Sequence, residues 1–325
     1  MAQIKTGISR QQWPALITAA VCLLLYVTGC SLYPGFFSLR VFTNFLSDNA
    51  FLGIAAIGMT FVILSGGIDL SVGAVVGCGS ILMAVLIERS HLHPFAAIFV
   101  VLALGTVLGL FMGVLIQVFE LPPFLVTLAG LFFCRGAGLL ISAESVSITH
   151  PFLQKAARFA VHLGSASLPL SALLFMLTLL LAIFLSLFTR FGRNVYAVGG
   201  SEPSSVLMGL PVSTTKVSVY ALSGFCSAFA AVVYTLYTSS GNATAGVGLE
   251  LDAIAAVVIG GTLLSGGVGY ILGTLIGVLI FGIIQTGISF QGTLSSWWTK
   301  IAIGLLLLIF IVLQKVLNKH LLGRR

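Results

Sequence analysis

The sequence predicts an all-α integral membrane protein of about ten transmembrane helices, with an internal, inverted repeat and interrupted helices. Three observations carry that prediction. Of 325 residues, 58% are hydrophobic and only 7% charged, where a soluble domain carries about 25% charged residues. The apolar residues fall in runs of roughly 20, the length that crosses a bilayer as a helix. The tetrapeptide LSGG occurs twice, at 64–67 and 264–267, each time inside a run apolar enough to cross.

Taken in order, the runs are 14–33, 44–64, 68–87, 95–118, 123–143, 168–189, 217–239, 250–266, 269–290 and 297–314. The first lacks a small-residue cleavage site and is followed by Tyr33-Pro34-Gly35, so it reads as a retained helix and not as a signal peptide. The breaks near 65–68 and 265–269 are short enough for each flanking pair to be one interrupted helix. The whole chain reads as one transmembrane domain, with no long soluble domain expected before, between or after the spans.

Basic residues favour the cytoplasmic side of a membrane. Ten spans with the N-terminus inside give the inner surface Lys5, Arg10, Arg190, Arg193, Lys216, Lys315, Lys319, Arg324 and Arg325. The outer surface receives Arg40, Arg89, Lys155 and Arg158, with Lys300 close by and Arg135 inside a span. Both termini are therefore expected in the cytoplasm. The net charge of +7 reads as a topology signal. No basic stripe carries interleaved aromatics, so nucleic acid is not an expected partner. The five cysteines all fall in apolar runs without ligand spacing, and the five histidines are scattered, so no metal site is expected.

Sliding the sequence by 200 residues aligns Ile54-Ala55-Ala56 with Ile254-Ala255-Ala256, LSGG with LSGG, Gly73 with Gly273 and Gly77 with Gly277. Nine of 24 positions between 54 and 77 are identical without a gap. The order suggests duplicated halves, 44–143 and 217–314. Matched glycine breaks in such halves point to a transport pathway, because unpaired backbone is tolerated at membrane depth only inside protein or beside water. Tight helix packing is the competing reading. Small residues recur at Gly105/Gly109/Gly113, at Gly73/Gly77 and at Gly273/Gly277, a spacing that lets helices approach closely. Asp69, matched by Gly269 in the second copy, either caps a half-helix restarting near Leu70 or meets a polar solute. The pathway candidates are Asn49, Ser65, Gly66, Gly67, Asp69, Ser71, Ser265, Gly266 and Gly267.

The longest inner loop, 189–216, contains its own start and stop signals. Ser201 can cap a helix whose first turn holds Glu202 and Pro203; Gly209 stops it and Pro211 prevents resumption. Two turns are unstable alone in water, so this helix is expected to dock on a cytosolic protein. On the outer side, loop 144–167 is expected to hold a short interfacial helix, and 239–252 is small, Gly-rich and acidic at its end. None of the six lysines follows a GxxxxGK[ST] pattern, so the chain has no P-loop for ATP. It also lacks the string of intramembrane carboxylates and histidines of a proton relay. Energy from a separate protein fits best. A self-sufficient ion-coupled carrier of a small polar solute is the alternative, and no GxSxG, HExxH or paired carboxylates suggest an enzyme.

At GGIDLSVG (66–73), TRFGRNVYAVGG (189–200), AGVGLELDAIAAVVIGGTLLSGGVGYILGTLIG (245–277) and GTLSSWWTKIAIG (292–304), the chain resembles the permeases of bacterial ribose/galactose-type ABC importers. PPFLVTLAGLFFCRGAGLL (122–140) is similar to that family's PFxVTLxxxxxxRG pattern. NAFLGIAAIGMTFVILSGGIDLSVG (49–73) and ESVSITHP (144–151) look closest to its galactofuranose-importing members. The resemblance implies an inner-membrane subunit that pairs with a second, homologous permease. It also implies a periplasmic sugar-binding protein and a cytosolic ABC ATPase, which binds the ATP. The ATPase would dock on 189–216, making Arg190, Gly192, Arg193, Gly199, Gly200, Ser201, Glu202 and Gly209 the coupling candidates. Where the family reads GGN and two small residues, this chain has Gly199-Gly200-Ser201, then Glu202 and Pro203.

Overall fold

The computed structural model describes residues 13–164, 166–292, 295 and 297–322. Lys5, Arg10, Arg324 and Arg325, four of the basic residues assigned to the inner side, lie outside the described residues, as do the side chains of Lys315 and Lys319.

Helix α1 (Trp13–Leu32) precedes α2 (Leu39–Asp48), α3 (Ala50–Leu64), α4 (Val72–Glu88), α5 (Pro94–Val118) and α6 (Pro123–Ile141). A polar connection follows, with β1 (Val146–Ser147), α7 (Pro151–Arg158) and a hairpin of β2 (Ala160–Leu163) and β3 (Ala166–Pro169). Next come α8 (Leu170–Phe188), α9 (Arg190–Gly200), α10 (Glu202–Leu207), α11 (Val212–Thr238) and β4 (Ser240–Gly241). The chain continues through α12 (Leu249–Ile259), α13 (Ile271–Gln291) and α14 (Trp297–Leu322).

Two opposite faces follow from long-range contacts. Strand β1 pairs antiparallel with β4, which puts the ends of α6 and α11 on one face. At the other end of α11, Lys216 is ion-paired with Glu202 at 2.6 Å, so α9 and α10 lie on the opposite face. Near its start, α1 donates from Thr18 to the Ile259 carbonyl at 2.7 Å; beyond its end, Tyr33 donates to Gln291 at 2.6 Å.

Five helices are long and apolar enough to cross a membrane: α5, α6, α8, α11 and α13. A sixth span is the pair α2 and α3, bent by 57° at Asn49, and shorter apolar helices cover Ile17–Leu32, Val72–Glu88 and Trp297–Leu313. Length and composition therefore do not reach the expected ten. The clearest departure is at 250–266, where α12 has only 11 residues. Before it, residues 241–248 descend beside α4 as mostly irregular backbone, with Gly241 against Ser80, Ala243 and Ala245 against Gly77, and Gly246 against Gly73. Arg135 donates from Nη1 to the Ala243 and Ala245 carbonyls at 2.8 and 2.9 Å. Protein groups thus satisfy backbone that lipid could not.

The helix senses set the two segments expected as halves against each other. Segment 44–143 runs first towards the α9 face and 217–314 runs first away from it, so these four-helix segments are opposite in sense. An inversion cannot relate the LSGG copies, however. The first joins α3 to α4, the first and second helices of its segment; the second joins α12 to α13, the second and third. Both copies run in the same sense, towards the α9 face and back. The breaks differ in length too, 65–71 against 260–270.

Helix α11 is the centre of the bundle, packed on α3, α4 and α5. The small-residue spacing on α5 is what permits this: a Cβ on Gly105 would lie 2.5 Å from Ala228, and one on Gly113 would lie 2.9 Å from the Val217 Cα. Such an interface gains from dispersion and close approach, because lipid offers little hydrophobic drive between helices.

On the β-bearing face, Glu88 ends α4 and accepts from the Thr149 N–H and hydroxyl, both at 2.7 Å, and from the His150 N–H at 3.1 Å. Slight burial pushes its carboxyl up, but the hydrogen bonds from Thr149 and His150 outweigh this and hold it below the usual carboxylate value. A lowered folded value means the tie between α4 and α7 is at full strength above the unfolded carboxylate range. It is lost as pH falls through the folded value. Thermal unfolding in detergent between pH 7 and pH 3 should therefore show a smaller acid destabilisation in Glu88→Gln than in wild type; identical pH profiles would contradict this role.

Candidate functional site

The two glycine turns are real interruptions. Helix α3 ends as the Ser65 hydroxyl donates to the Val62 carbonyl at 2.8 Å, and Gly66 takes φ +86°, a conformation that L side chains resist. Helix α4 restarts at Val72, two residues later than Leu70. Asp69 organises this restart: it accepts from the Ser71 N–H at 2.9 Å, the Ser71 hydroxyl at 2.6 Å and, across to α11, the Ser223 hydroxyl at 2.7 Å. Its side chain is fully buried and Ser71 is nearly so. Ser223 sits near the middle of α11, which places this carboxylate deep in the bundle. In the second copy, Gly266 and Gly267 take φ +83° and +73°.

The two turns touch. The Gly267 N–H donates to the Leu64 carbonyl at 2.9 Å. The C-terminal end of α9 is wedged against both. A Cβ on Gly199 would overlap the Leu64 carbonyl and lie 2.6 Å from the Gly267 nitrogen, and one on Gly267 would lie 2.6 Å from the Gly200 Cα. Tyr196 of α9 donates to the Gly269 carbonyl at 2.9 Å, and Phe191 packs on Phe61 of α3 with ring centres 5.9 Å apart. The structure thus brings Gly66, Gly266 and Gly267 against Gly199 and Gly200, with Ser65 and Gly67 flanking Gly66 in the same turn. It leaves Ser265 exposed beside them. Asn49 is at the opposite end of α3, donating to the Phe45 carbonyl at 3.2 Å. Gly67 faces the buried Tyr220 hydroxyl, which has no hydrogen-bond partner among the described residues.

The coupling candidates divide between two helices. Helix α9 is more than the loop expected at 189–200. Thr189 caps it through the Gly192 N–H at 3.2 Å, and Val195 and Val198 are buried. The apolar spacing Phe191, Val195, Val198 is the signal that finds it. Gly192 lies against the end of α8, while Arg190 and Arg193 are exposed. Helix α10 has the expected signals: Ser201 accepts from the Ser204 N–H at 3.4 Å, Glu202 holds Lys216, and Gly209 turns the chain at φ +72°. Val206, Leu207 and Met208 are 59%, 88% and 66% exposed. These apolar side chains at the tip of a two-turn helix are left uncovered by the described residues.

Arg135 was set apart by sequence only as a charge within a span. Its role here, holding the descending 241–248 segment, depends on a partner 108 residues away, and no local signal shows it. The cavities lie elsewhere. An apolar cleft of about 840 Å³ opens between α5 and α6, and a polar one of about 520 Å³ lies on the β-bearing face.

Apolar helices packed through glycines, with broken spans gripped by a helical element on one face, define a multi-pass membrane transport permease. A family match over residues 41–311 agrees: the chain belongs to the family described as the permease component of the branched-chain amino acid transport system. It is 51% identical over 310 residues to the inner membrane ABC transporter permease protein YjfF of Escherichia coli K12, covering 95% of this chain and 94% of that one. It is 35% identical to the fructose import permease protein FruG of Bifidobacterium longum, covering 95% and 92%. With the ribose import permease protein RbsC of Haemophilus influenzae it shares 38% identity, covering 88% of each chain. No solved structure matches the chain.

Proposed function

We propose that this chain is the permease subunit of an ATP-driven sugar importer, carrying a monosaccharide across the bacterial inner membrane after delivery by a periplasmic binding protein. The observation that supports the coupling is the α9–α10 element. Its exposed tip, Val206 to Met208, suits a cytosolic ATPase, and its buried end abuts both glycine turns. Docking there would be felt by α3 and α12 directly. The α9 face is then cytoplasmic, as are both termini, and ATP is bound by the partner. The cargo rests on the relatives named for ribose and fructose import and, for galactofuranose, on the resemblance of 49–73 and 144–151. A second, homologous permease completes the pathway in a heterodimer.

Copurification from membranes tests the assembly: an ATPase and a second permease should accompany the chain. Reconstituted alone under an ion gradient, it should move no sugar; uptake in that setting would establish the ion-coupled alternative. Leu207→Asp and Glu202→Ala are expected to lower ATP-driven uptake about tenfold, the cost of losing a single well-placed contact, with normal insertion in the membrane. Normal uptake by both variants would remove α10 as the docking element.

A further inference from the structure

The cavity of about 520 Å³ on the β-bearing face differs in kind from the apolar cleft between α5 and α6. It is an open recess bordered by four elements, the end of α2, helix α7, the start of α8 and the end of α11. Gln154 and Arg158 come from α7, Ser171 from α8, Ser239 from the turn after α11, and Tyr237 from the last turn of α11. The side chains of Gln154, Arg158, Ser171 and Ser239 make no hydrogen bond among the described residues. Tyr237 donates to Asp48 at 3.2 Å, which orients a ring that stays 49% exposed. Ile148 and Leu236, both buried, add apolar surface to its lining.

From this geometry we infer that the cavity is an acceptor site for a monosaccharide, where the cargo rests between the binding protein and the membrane pathway. The inference rests on the sugar-importer reading above, which makes the β-bearing face the side of arrival. The volume falls within the roughly 300–1,000 Å³ of small-molecule sites. Its chemistry suits a polyhydroxylated ring. The Arg158 guanidinium donates, the Gln154 amide and the serine hydroxyls both donate and accept, and the Tyr237 ring offers apolar surface to the C–H face of a furanose or pyranose. A protein docking on this face would need about 800 Å² on each partner, a larger surface than the recess itself, and the test below separates that outcome.

The test uses the complete importer in proteoliposomes, with Gln154→Ala, Ser171→Ala and Tyr237→Leu variants. Ribose, fructose and galactofuranose are supplied on the binding protein. Sugar imported per ATP hydrolysed should fall about fivefold in at least two variants, the loss expected for one hydrogen bond, while stimulation of ATPase activity by the binding protein stays at the wild-type level. Unchanged import in all three overturns the site. So does a parallel loss of ATPase stimulation, which would make the cavity part of a protein docking surface. If the wild-type importer carries none of these sugars, the functional reading fails, and the cavity is decided by saturation-transfer NMR of the purified permease with free ribose and fructose. Contact signals lost in Gln154→Ala and Ser171→Ala then support it; no signal, or signals unaffected by the substitutions, overturns it.

Discussion

Gly199→Val should abolish transport and sharply reduce recovery of folded protein, while Gly200→Ala next to it should be nearly neutral. The asymmetry follows from what each new Cβ meets. At Gly199 it overlaps the Leu64 carbonyl and crowds the Gly267 nitrogen, both backbone atoms fixed by their own turns. Neither can swing aside as a flexible side chain would. Accommodating even a methyl group means parting α9 from both turns and breaking the Gly267–Leu64 hydrogen bond, at a cost of about 3 kcal/mol for the overpacking alone. At Gly200 the same atom meets nothing within 4 Å. Gly199→Ala is the informative intermediate. Folded protein with uptake lost and ATPase docking retained would show the junction transmitting motion. Normal uptake by Gly199→Val would mean that α9 does not grip the turns in the working transporter.

The second large effect is expected at Asp69. Replacement by alanine leaves the Ser71 N–H without its acceptor and frees the Ser71 and Ser223 hydroxyls inside the bundle. Each buried polar group left unpaired costs about 1–3 kcal/mol, so Asp69→Ala should lose about 3–5 kcal/mol of stability. Asn in the same place keeps an oxygen for Ser71 and turns an amide donor towards the Ser223 hydroxyl, which can accept. Asp69→Asn should therefore unfold close to the wild-type temperature in detergent. Its transport separates two roles. Normal uptake by Asp69→Asn assigns the carboxylate to capping alone; lost uptake at normal stability shows that the negative charge acts in transport. An Asp69→Ala protein as stable as wild type would remove the structural role altogether.

Local chemistry explains what could be read in advance. The membrane class follows from the number of apolar side chains, whatever their arrangement. Helix α10 was legible because Ser201, Pro203, Gly209 and Pro211 each act on their own few residues. Helix α9 was equally local, with Thr189 at its start and a buried stripe, yet its glycine ending resembles a loop. The apolar run at 250–266 is helical only over Leu249–Ile259, because hydropathy records how apolar a segment is and not whether its backbone coils. There, irregular backbone is held by Arg135, whose contribution is set by proximity alone.

The same distinction separates the two readings of LSGG. By itself the sequence determined that the chain lives in lipid, that its apolar runs break at Gly66-Gly67 and Gly266-Gly267, and that a short capped helix follows Ser201. Composition, glycine conformation and capping are properties of neighbouring residues. Tertiary structure alone decided that the two breaks belong to non-equivalent places in the bundle, that they meet at a single hydrogen bond, and that Gly199 lies between them. It also decided that Asp69 bonds to Ser223, 154 residues away. Such contacts depend on which helices pack together. Glycine and serine carry no mark of their distant partners, because close approach requires only that a side chain be small.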